Sequence, residues 1–363
     1  MKKKTWSSIL SSLLVVTALV GCGTTETSTD SKAESNLNVG LVTSIGSIDD
    51  KSFNQGAWEG ILEVAKEHEI NEKYLQAAGE TEADALKEIA NFHDAGYNLV
   101  VAPGFGFGTT VYEAQQKYPD MKFVAIDTVA HNGDNVAAMA DNSVSVLFAE
   151  HEAGFLAGLA ASVELQEGEV GFIGGIPTEA VQKYNWGFQQ GIKYANENYG
   201  TKMTMDPSNF VYQGTFTDIA AGQQISAQLY DKGVDVIFSA AGAVGSGVIK
   251  EATERAQKGE KAWVIGVDVD QYDAGMYNDS NSVILTSAMK KISTATYDMI
   301  QQAIAGNFPG GEVLTYSVAN DGVGIPTENP NLSEATTKTV DEVYAKMKAG
   351  EVTVSASGEG LIP

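Results

Sequence analysis

Two aspartates close apolar runs in the same way: Asp127 ends Phe-Val-Ala-Ile-Asp and Asp268 ends Val-Ile-Gly-Val-Asp. A carboxylate at the carboxyl end of a buried parallel strand can accept two hydrogen bonds, from a vicinal diol or from ring N–H groups. Taken singly, each also reads as a turn or helix-capping residue. Their matching placement argues for a shared cleft. Lys290 follows Thr286-Ser-Ala-Met directly after an apolar run and can donate to a ligand hydroxyl while pairing with Asp268. The bland alternative is a solvated surface lysine.

A third group is Ser47-Ile-Asp-Asp-Lys-Ser-Phe-Asn-Gln-Gly-Ala-Trp-Glu-Gly60. Asp49 and Asp50 are expected to cap a helix whose apolar stripe runs through Trp58, Ile61, Leu62 and Ala65. Phe53 projects roughly 130° from that stripe, so its ring is offered at the mouth of the first strand-helix unit. Two small-residue loops, Pro103-Gly-Phe-Gly-Phe-Gly108 and Ala240-Ala-Gly-Ala-Val-Gly-Ser-Gly247, would let a flat ligand approach backbone amides. Neither is a Walker loop, because no Lys-Ser or Lys-Thr follows.

Catalytic signatures are weak. The chain has no Gly-x-Ser-x-Gly elbow, and its histidines (His68, His93, His131, His151) lack metal-ligand spacing. His68 and His93 are expected on helices, and His151, between Glu150 and Glu152, on a solvated helix face. Asp49, Asp50, Asp127 and Asp268 leave a carboxylate-pair hydrolase as an alternative. No cofactor or metal is expected.

The elements that must hold these residues alternate in strand-like and helical runs. The strands expected are Val39 to Val42, Tyr74 to Ala77, Leu99 to Ala102, Phe123 to Ile126 and Val136 to Ala140. A long helix around Glu150 to Val163 follows. A second series then runs through Val170 to Ile173, Phe210 to Tyr212, Val234 to Phe238, Trp263 to Val267 and Val283 to Leu285. Such alternation implies an α/β protein with parallel sheets covered on both faces, and the similar order of the two series implies two topologically similar lobes.

The chain has 363 residues, of which 43% are apolar, enough for two lobes. It carries 23 Lys and Arg against 47 Asp and Glu, and Arg255 is its single arginine. That balance argues against nucleic acid and against phosphorylated ligands, which are gripped by Lys and Arg patches. A neutral or cationic small molecule fits better. At the N-terminus Lys2, Lys3 and Lys4 precede the apolar Ile9 to Val20, and Leu19-Val20-Gly21-Cys22 resembles the lipobox of bacterial lipoproteins. Residues 1–21 are thus read as a signal peptide, Cys22 as the lipidated (palmitate-type) residue and membrane anchor, and 22–36 as a flexible tether.

Together these residues resemble the basic membrane protein family of bacterial lipoproteins, the purine nucleoside receptor A group. The specific matches are Ile48-Asp-Asp-Lys-Ser-Phe-Asn-Gln-x-x-Trp-Glu-Gly60, Ala241-Gly-x-x-Gly-x-Gly-Val248, the Gly-Val-Asp268 strand end and Thr286-Ser-x-x-Lys290. The resemblance implies a type I periplasmic-binding-protein fold, with two Rossmann-like lobes joined by a three-strand hinge. It implies lobe one at 37–141 with 291–317 and lobe two at 142–290 with 318–363. It also implies a monomeric, extracytoplasmic substrate-binding protein that hands a nucleoside to an ABC transporter permease and has no enzymatic activity. By the same resemblance Phe53 stacks on the base, Asn54 is a polar contact and Asp127 reads the base edge. Asp268 and Lys290 hold the ribose, Gly242 flanks the ligand, and Tyr184, with Trp186 as rival, closes the aromatic sandwich. Thr43 is followed by Ser44 where relatives commonly carry Asp, which leaves the base preference open. A sugar or autoinducer receptor on the same fold is the alternative of the same class.

Overall fold

A computed structural model describes residues 33–43 and 45–363. The expected signal peptide, Cys22, the tether as far as residue 32, and Ser44 lie outside the described residues. β1 (Ala33–Thr43) leads into α1 (Phe53–Glu67), and β2 (His68–Gln76), α2 (Glu82–Asp94), β3 (Leu99–Pro103), α3 (Gly108–Lys117), β4 (Lys122–Ile126) and β5 (Ser143–Phe148) follow. α4 (Glu150–Leu165) opens a second series with β6 (Glu167–Gly174), α5 (Glu179–Tyr199), β7 (Lys202–Tyr212), α6 (Ile219–Asp231), β8 (Val236–Ala240), α7 (Ala243–Gln257) and β9 (Trp263–Asp268). A short hairpin, β10 (Met276–Asn278) with β11 (Asn281–Ser282), precedes β12 (Ile284–Lys290). The chain ends with α8 (Ile292–Ile304), β13 (Val313–Tyr316), β14 (Val323–Gly324) and α9 (Glu334–Lys348).

The strands form two sheets of the same topology. The first has the order β2-β1-β3-β4-β5-β13 with every pair parallel, and the second the order β7-β6-β8-β9-β12-β14, parallel except where β14 meets β12. In both, the first strand of the series lies between the second and the third. The connections leaving the carboxyl ends of the first and third strands therefore run to opposite faces and open a crevice between them. β3 and β8 are buried along their whole length, as the unbroken apolar runs of a doubly covered sheet require.

Several elements depart from the expectation. The segment 136–140 is not a strand; the fifth strand is β5, at 143–148, in the first sheet beside β4. The passage between sheets thus follows Phe148 and not residue 141. Alternating Val144 and Val146 supply the apolar positions that face the core, whereas Val136 is exposed. β1 begins at Ala33, inside the expected tether, because 33–34 pair with 68–69 of β2. That pairing also makes His68 the first residue of a strand and not part of a helix. On α1 the buried face runs through Ala57, Gly60, Ile61 and Val64, with Trp58 half-buried. The shift comes from α8: a Cβ on Gly60 would run into the Ser293 carbonyl and Thr296, so the smallest residues must face that helix.

Between the lobes lies α4, buried on nearly all sides from Ala153 to Ser162. One apolar core runs from Val39 and Val101 of the first sheet through Leu156 and Ala160 of α4 to Phe172 and Val236 of the second. Separate clusters under α2 and α3 and under α6 and α7 cover the outer faces. The chain passes between sheets at 149, at 291 and at 317–322.

Candidate functional site

The carboxyl ends of both sheets face one cavity of about 610 Å³. Phe53, Asn54, Asp127, Tyr184, Gly242, Asp268 and Lys290 all line it, as do Pro103 to Gly106 and Ala240 to Ala243 of the two small-residue loops. Asp127 follows β4, and Asp268 is the last residue of β9. Their backbones share an unusual conformation, with φ of 58° and 66°. The left-handed region disfavours most side chains but admits aspartate, and here it turns each carboxylate off its strand end into the cavity.

Lys290 ends β12 and its side chain is 3% exposed. Its ammonium pairs with Asp127 and lies 3.6 Å from Glu150 Oε1 and 3.7 Å from Asp268 Oδ1. It also sits over three rings, 4.8 Å from the centroid of Phe53, 5.4 Å from Phe148 and 5.7 Å from Tyr184. Burial alone would lower its pKa. The carboxylates of Asp127, Asp268 and Glu150 outweigh that and hold it above the ordinary value, so the charge is kept.

Two acids of the cluster respond to the same burial. Asp127 is raised by desolvation against the pull of Lys290, and Glu150 is raised to about 7. Among the described residues Asp127 Oδ1 has no hydrogen-bond partner, although it is buried. An acceptor of that kind is costly unless a ligand donates to it. Asp268 accepts from the Ser52 hydroxyl and from the Tyr184 hydroxyl at 3.4 Å.

The loop before α1 is held from within. Asp50 accepts from the backbone N–H groups of Ser52, Asn54 and Gln55 at 2.9, 2.9 and 3.1 Å, which satisfies the open turn of α1. Phe53 is the first residue of α1, so this cap fixes where its ring points. Across the cleft the lobes touch through Ser52 to Asp268, and through the Gln271 amide to the Lys51 carbonyl at 2.9 Å. At the mouth the Phe105 and Phe216 rings lie 6.5 Å apart. Gly242, with φ of 57°, is packed so that a Cβ would sit 3.4 Å from Phe216. Among the described residues no His, Cys, Asp and Glu group is arranged to hold a metal ion.

Residues 37–357 match the family described as ABC transporter substrate-binding protein PnrA-like. The chain belongs to this family. It is 32% identical to the "CD4+ T-cell-stimulating antigen" of Listeria innocua over 98% of this chain and 99% of that one. It is 31% identical to the "ABC transporter nucleoside-binding protein BmpA" of Lactococcus lactis subsp. cremoris, again over 98% and 99%. A solved ABC transporter solute-binding protein from Aeropyrum pernix shares the fold at a TM-score of 0.75 and 23% identity, covering 88% of this chain and 94% of that one. As a family member the chain is a substrate-binding protein of an ABC transporter with the two-lobed α/β fold.

Against the sequence reading, the geometry redistributes several tasks within the family's cleft. Lys290 pairs first with Asp127, and Asp268 is the more distant partner, because β12 and β4 meet the cleft from opposite lobes at its floor. Asn54 directs its amide nitrogen to the Ile45 carbonyl at 3.0 Å and to Asp50 at 2.9 Å, so that nitrogen braces the loop. Asp49 is exposed and takes the Ser47 hydroxyl, leaving the capping to Asp50. Tyr184 is 1% exposed and meets Phe238 edge-on, so it forms the floor and not the open face of a sandwich. Trp186 packs against Gly358, away from the cavity. The aromatics nearest the mouth are Phe105 and Phe216.

Sequence reading missed Glu150, Ser52, Phe148 and Phe216. Glu150 is 3% exposed, which overturns the solvated face assigned to residues 150–152; α4 enters the protein between the lobes, where both sides of its first turn are covered. The one available signal was the uninterrupted small and apolar run from Ala153 to Ala161, which describes a helix buried all round.

Proposed function

We propose that the chain captures a nucleoside, with a purine nucleoside expected, between its two lobes and presents it to an ABC transporter permease. In this reading it is held at the outer face of the cell membrane by lipid on Cys22. The observation that carries it is the division of the cleft. An aromatic side made by Phe53, Phe105 and Phe216 stands against a buried polar floor made by Asp127, Asp268 and Lys290. A nucleobase stacked on such rings gains ~1–3 kcal/mol, and a ribose diol suits a carboxylate beside an ammonium. The cavity falls within the roughly 300–1,000 Å³ range of small-molecule sites. The excess of carboxylates over ammonium groups around Lys290 disfavours an anionic ligand.

Calorimetric titration of the protein with adenosine, guanosine, inosine, cytidine and uridine tests the reading. Binding of at least one, with no competition from a hexose, is the expected result. Failure of every nucleoside to bind, or displacement by a hexose alone, would overturn it. The same samples, incubated for hours and separated by chromatography, should contain intact nucleoside; free base would favour the hydrolase reading.

A further inference from the structure

The turn Glu150-His151-Glu152 lies where the chain first passes from one sheet to the other. Glu150 opens α4, and its carboxylate lies 3.6 Å from the ammonium of Lys290, the last residue before the second passage. Two residues on, Glu152 Oε2 accepts from the Val318 backbone N–H at 2.7 Å, inside the third passage. Main-chain bonds run beside them, from Ala149 N–H to the Tyr316 carbonyl at 2.9 Å and from Lys291 N–H to the Gly322 carbonyl at 3.0 Å. His151, between the two acids, packs its backbone on Gly187 of α5 and stays neutral, its pKa lowered to about 4 by burial and by Lys183. One turn of helix therefore touches both of the other strands of the hinge.

We propose that Glu150 and Glu152 are positioning residues that clasp the hinge: Glu150 holds the Lys290 ammonium in register for the ligand, and Glu152 ties the third passage to the first. The proposal rests on the nucleoside reading above for its ligand, and on the hinge geometry for its mechanism. A carboxylate facing an ammonium and a carboxylate accepting from an amide N–H at these two points give the lobes a fixed pivot, since a relative rotation must lengthen one tie or the other. The Val318 N–H, once released, has no strand partner to return to; β14 begins only at Val323.

The charged and titratable groups that face Glu150 are Asp127 from β4, Lys183 and Tyr184 from α5, and Lys290 from β12, with Asp268 of β9 reaching it through Lys290. Glu152 faces the Val318 amide and, from α9, Tyr344. Burial raises Glu150 to about 7, with Lys290 opposing and Asp127 adding to the rise. Below that pH it takes up a proton and its pull on Lys290 lapses. The ammonium then shifts toward Asp127 and Asp268. A ligand hydroxyl that depends on the ammonium loses its donor, so affinity should fall on acidification.

Calorimetry of the full chain with adenosine and with uridine, from roughly pH 5.5 to 8, decides the matter, because neither probe titrates in that range. Wild-type affinity is expected to drop at least threefold between the top and bottom of the range. Glu150→Gln is expected to be flat at the weaker level, and Glu150→Asp, which restores a titrating group, to regain a slope. A wild-type profile that is flat overturns the Glu150 assignment without recourse to any variant, as does a Glu150→Gln profile that matches the wild type. For Glu152→Ala, small-angle scattering of the ligand-free protein should show a larger radius of gyration while the pH slope is kept; an unchanged radius with unchanged affinity overturns the clasp. Absence of binding by the wild type at every pH bears instead on the nucleoside reading, and the scattering comparison still tests the hinge.

Discussion

Lys290 keeps its charge at a depth that would ordinarily remove it, because Asp127, Glu150 and Asp268 converge on it. Phe53 makes the other half of the residue-scale argument. Its position at the start of α1, fixed by Asp50, leaves the ring bordering the cavity with Lys290 near it. Phe53→Ala is expected to weaken nucleoside binding at least tenfold while leaving the urea midpoint within error; equal affinity by calorimetry would take Phe53 out of the site. Glu150 carries a stability prediction. Between 4.5 and about 7 the folded state holds a proton on Glu150 that the unfolded chain has released, so this group lowers stability as pH rises through that window. His151 opposes it: between about 4 and 6.5 the unfolded chain binds a proton that the fold excludes, so it adds stability as pH rises. The difference between Glu150→Gln and the wild type isolates the first term. Urea unfolding should show the variant gaining on the wild type from roughly pH 5 to 7.5; a difference that does not change with pH would reverse the assignment. Asp127 and Asp268 were legible because each ends an apolar run, and Lys290 because it follows one closely. Glu150 was not, since Glu-His-Glu by itself does not separate a buried glutamate from a solvated one, and its one signal lay in the apolar run that begins at Ala153.

At the scale of elements, the cleft depends on how closely α4 and α5 approach. Gly154 and Gly158 of α4 face the Tyr184 and Phe188 main chain, and Gly187 and Gly191 of α5 face the carbonyls of His151 and Phe155. Four glycines on two facing stripes let the backbones touch, and the register so set places both Tyr184 and Glu150 at the cleft floor. Gly187→Ala would drive a methyl group into the His151 carbonyl. Overpacking of that kind costs about 1–3 kcal/mol. Denaturant unfolding should show the loss, and binding should weaken because Tyr184 moves with its helix. An unchanged midpoint would mean that the helices can part without cost. The glycines were visible in the sequence, but their pairing was not: close approach is a property of two helices, and each stripe is silent without the other.

For the whole molecule, two sheets of one topology face each other, and three short passages join them. The contacts across the cleft include Ser52 with Asp268, Gln271 with the Lys51 carbonyl, the Lys290 ion pair with Asp127 and the Phe105 and Phe216 rings at the mouth. Such contacts are consistent with lobes that part to admit ligand and meet again over it. Among the described residues no helix is long and apolar enough to cross a membrane. In the proposed function attachment is through lipid on Cys22. Cys22→Ala is expected to move the protein from the membrane fraction to the soluble extracytoplasmic fraction with nucleoside affinity unchanged. Retention in the membrane fraction would show that something other than that thiol holds it.

The sequence by itself determined the alternation of strands and helices, and with it the paired parallel sheets, because hydrophobic period is a local property. It also determined which strand ends carry Asp127, Asp268 and Lys290, and the small-residue loops beside them. Only the tertiary structure decided that Lys290 reaches Asp127 of the opposite lobe, that Tyr184 lies beneath the cleft, and that the fifth strand belongs at Ser143–Phe148. The physical reason is the same in each case. These are facts about groups far apart in the chain, set by how two lobes meet around α4, and no window of sequence contains both partners.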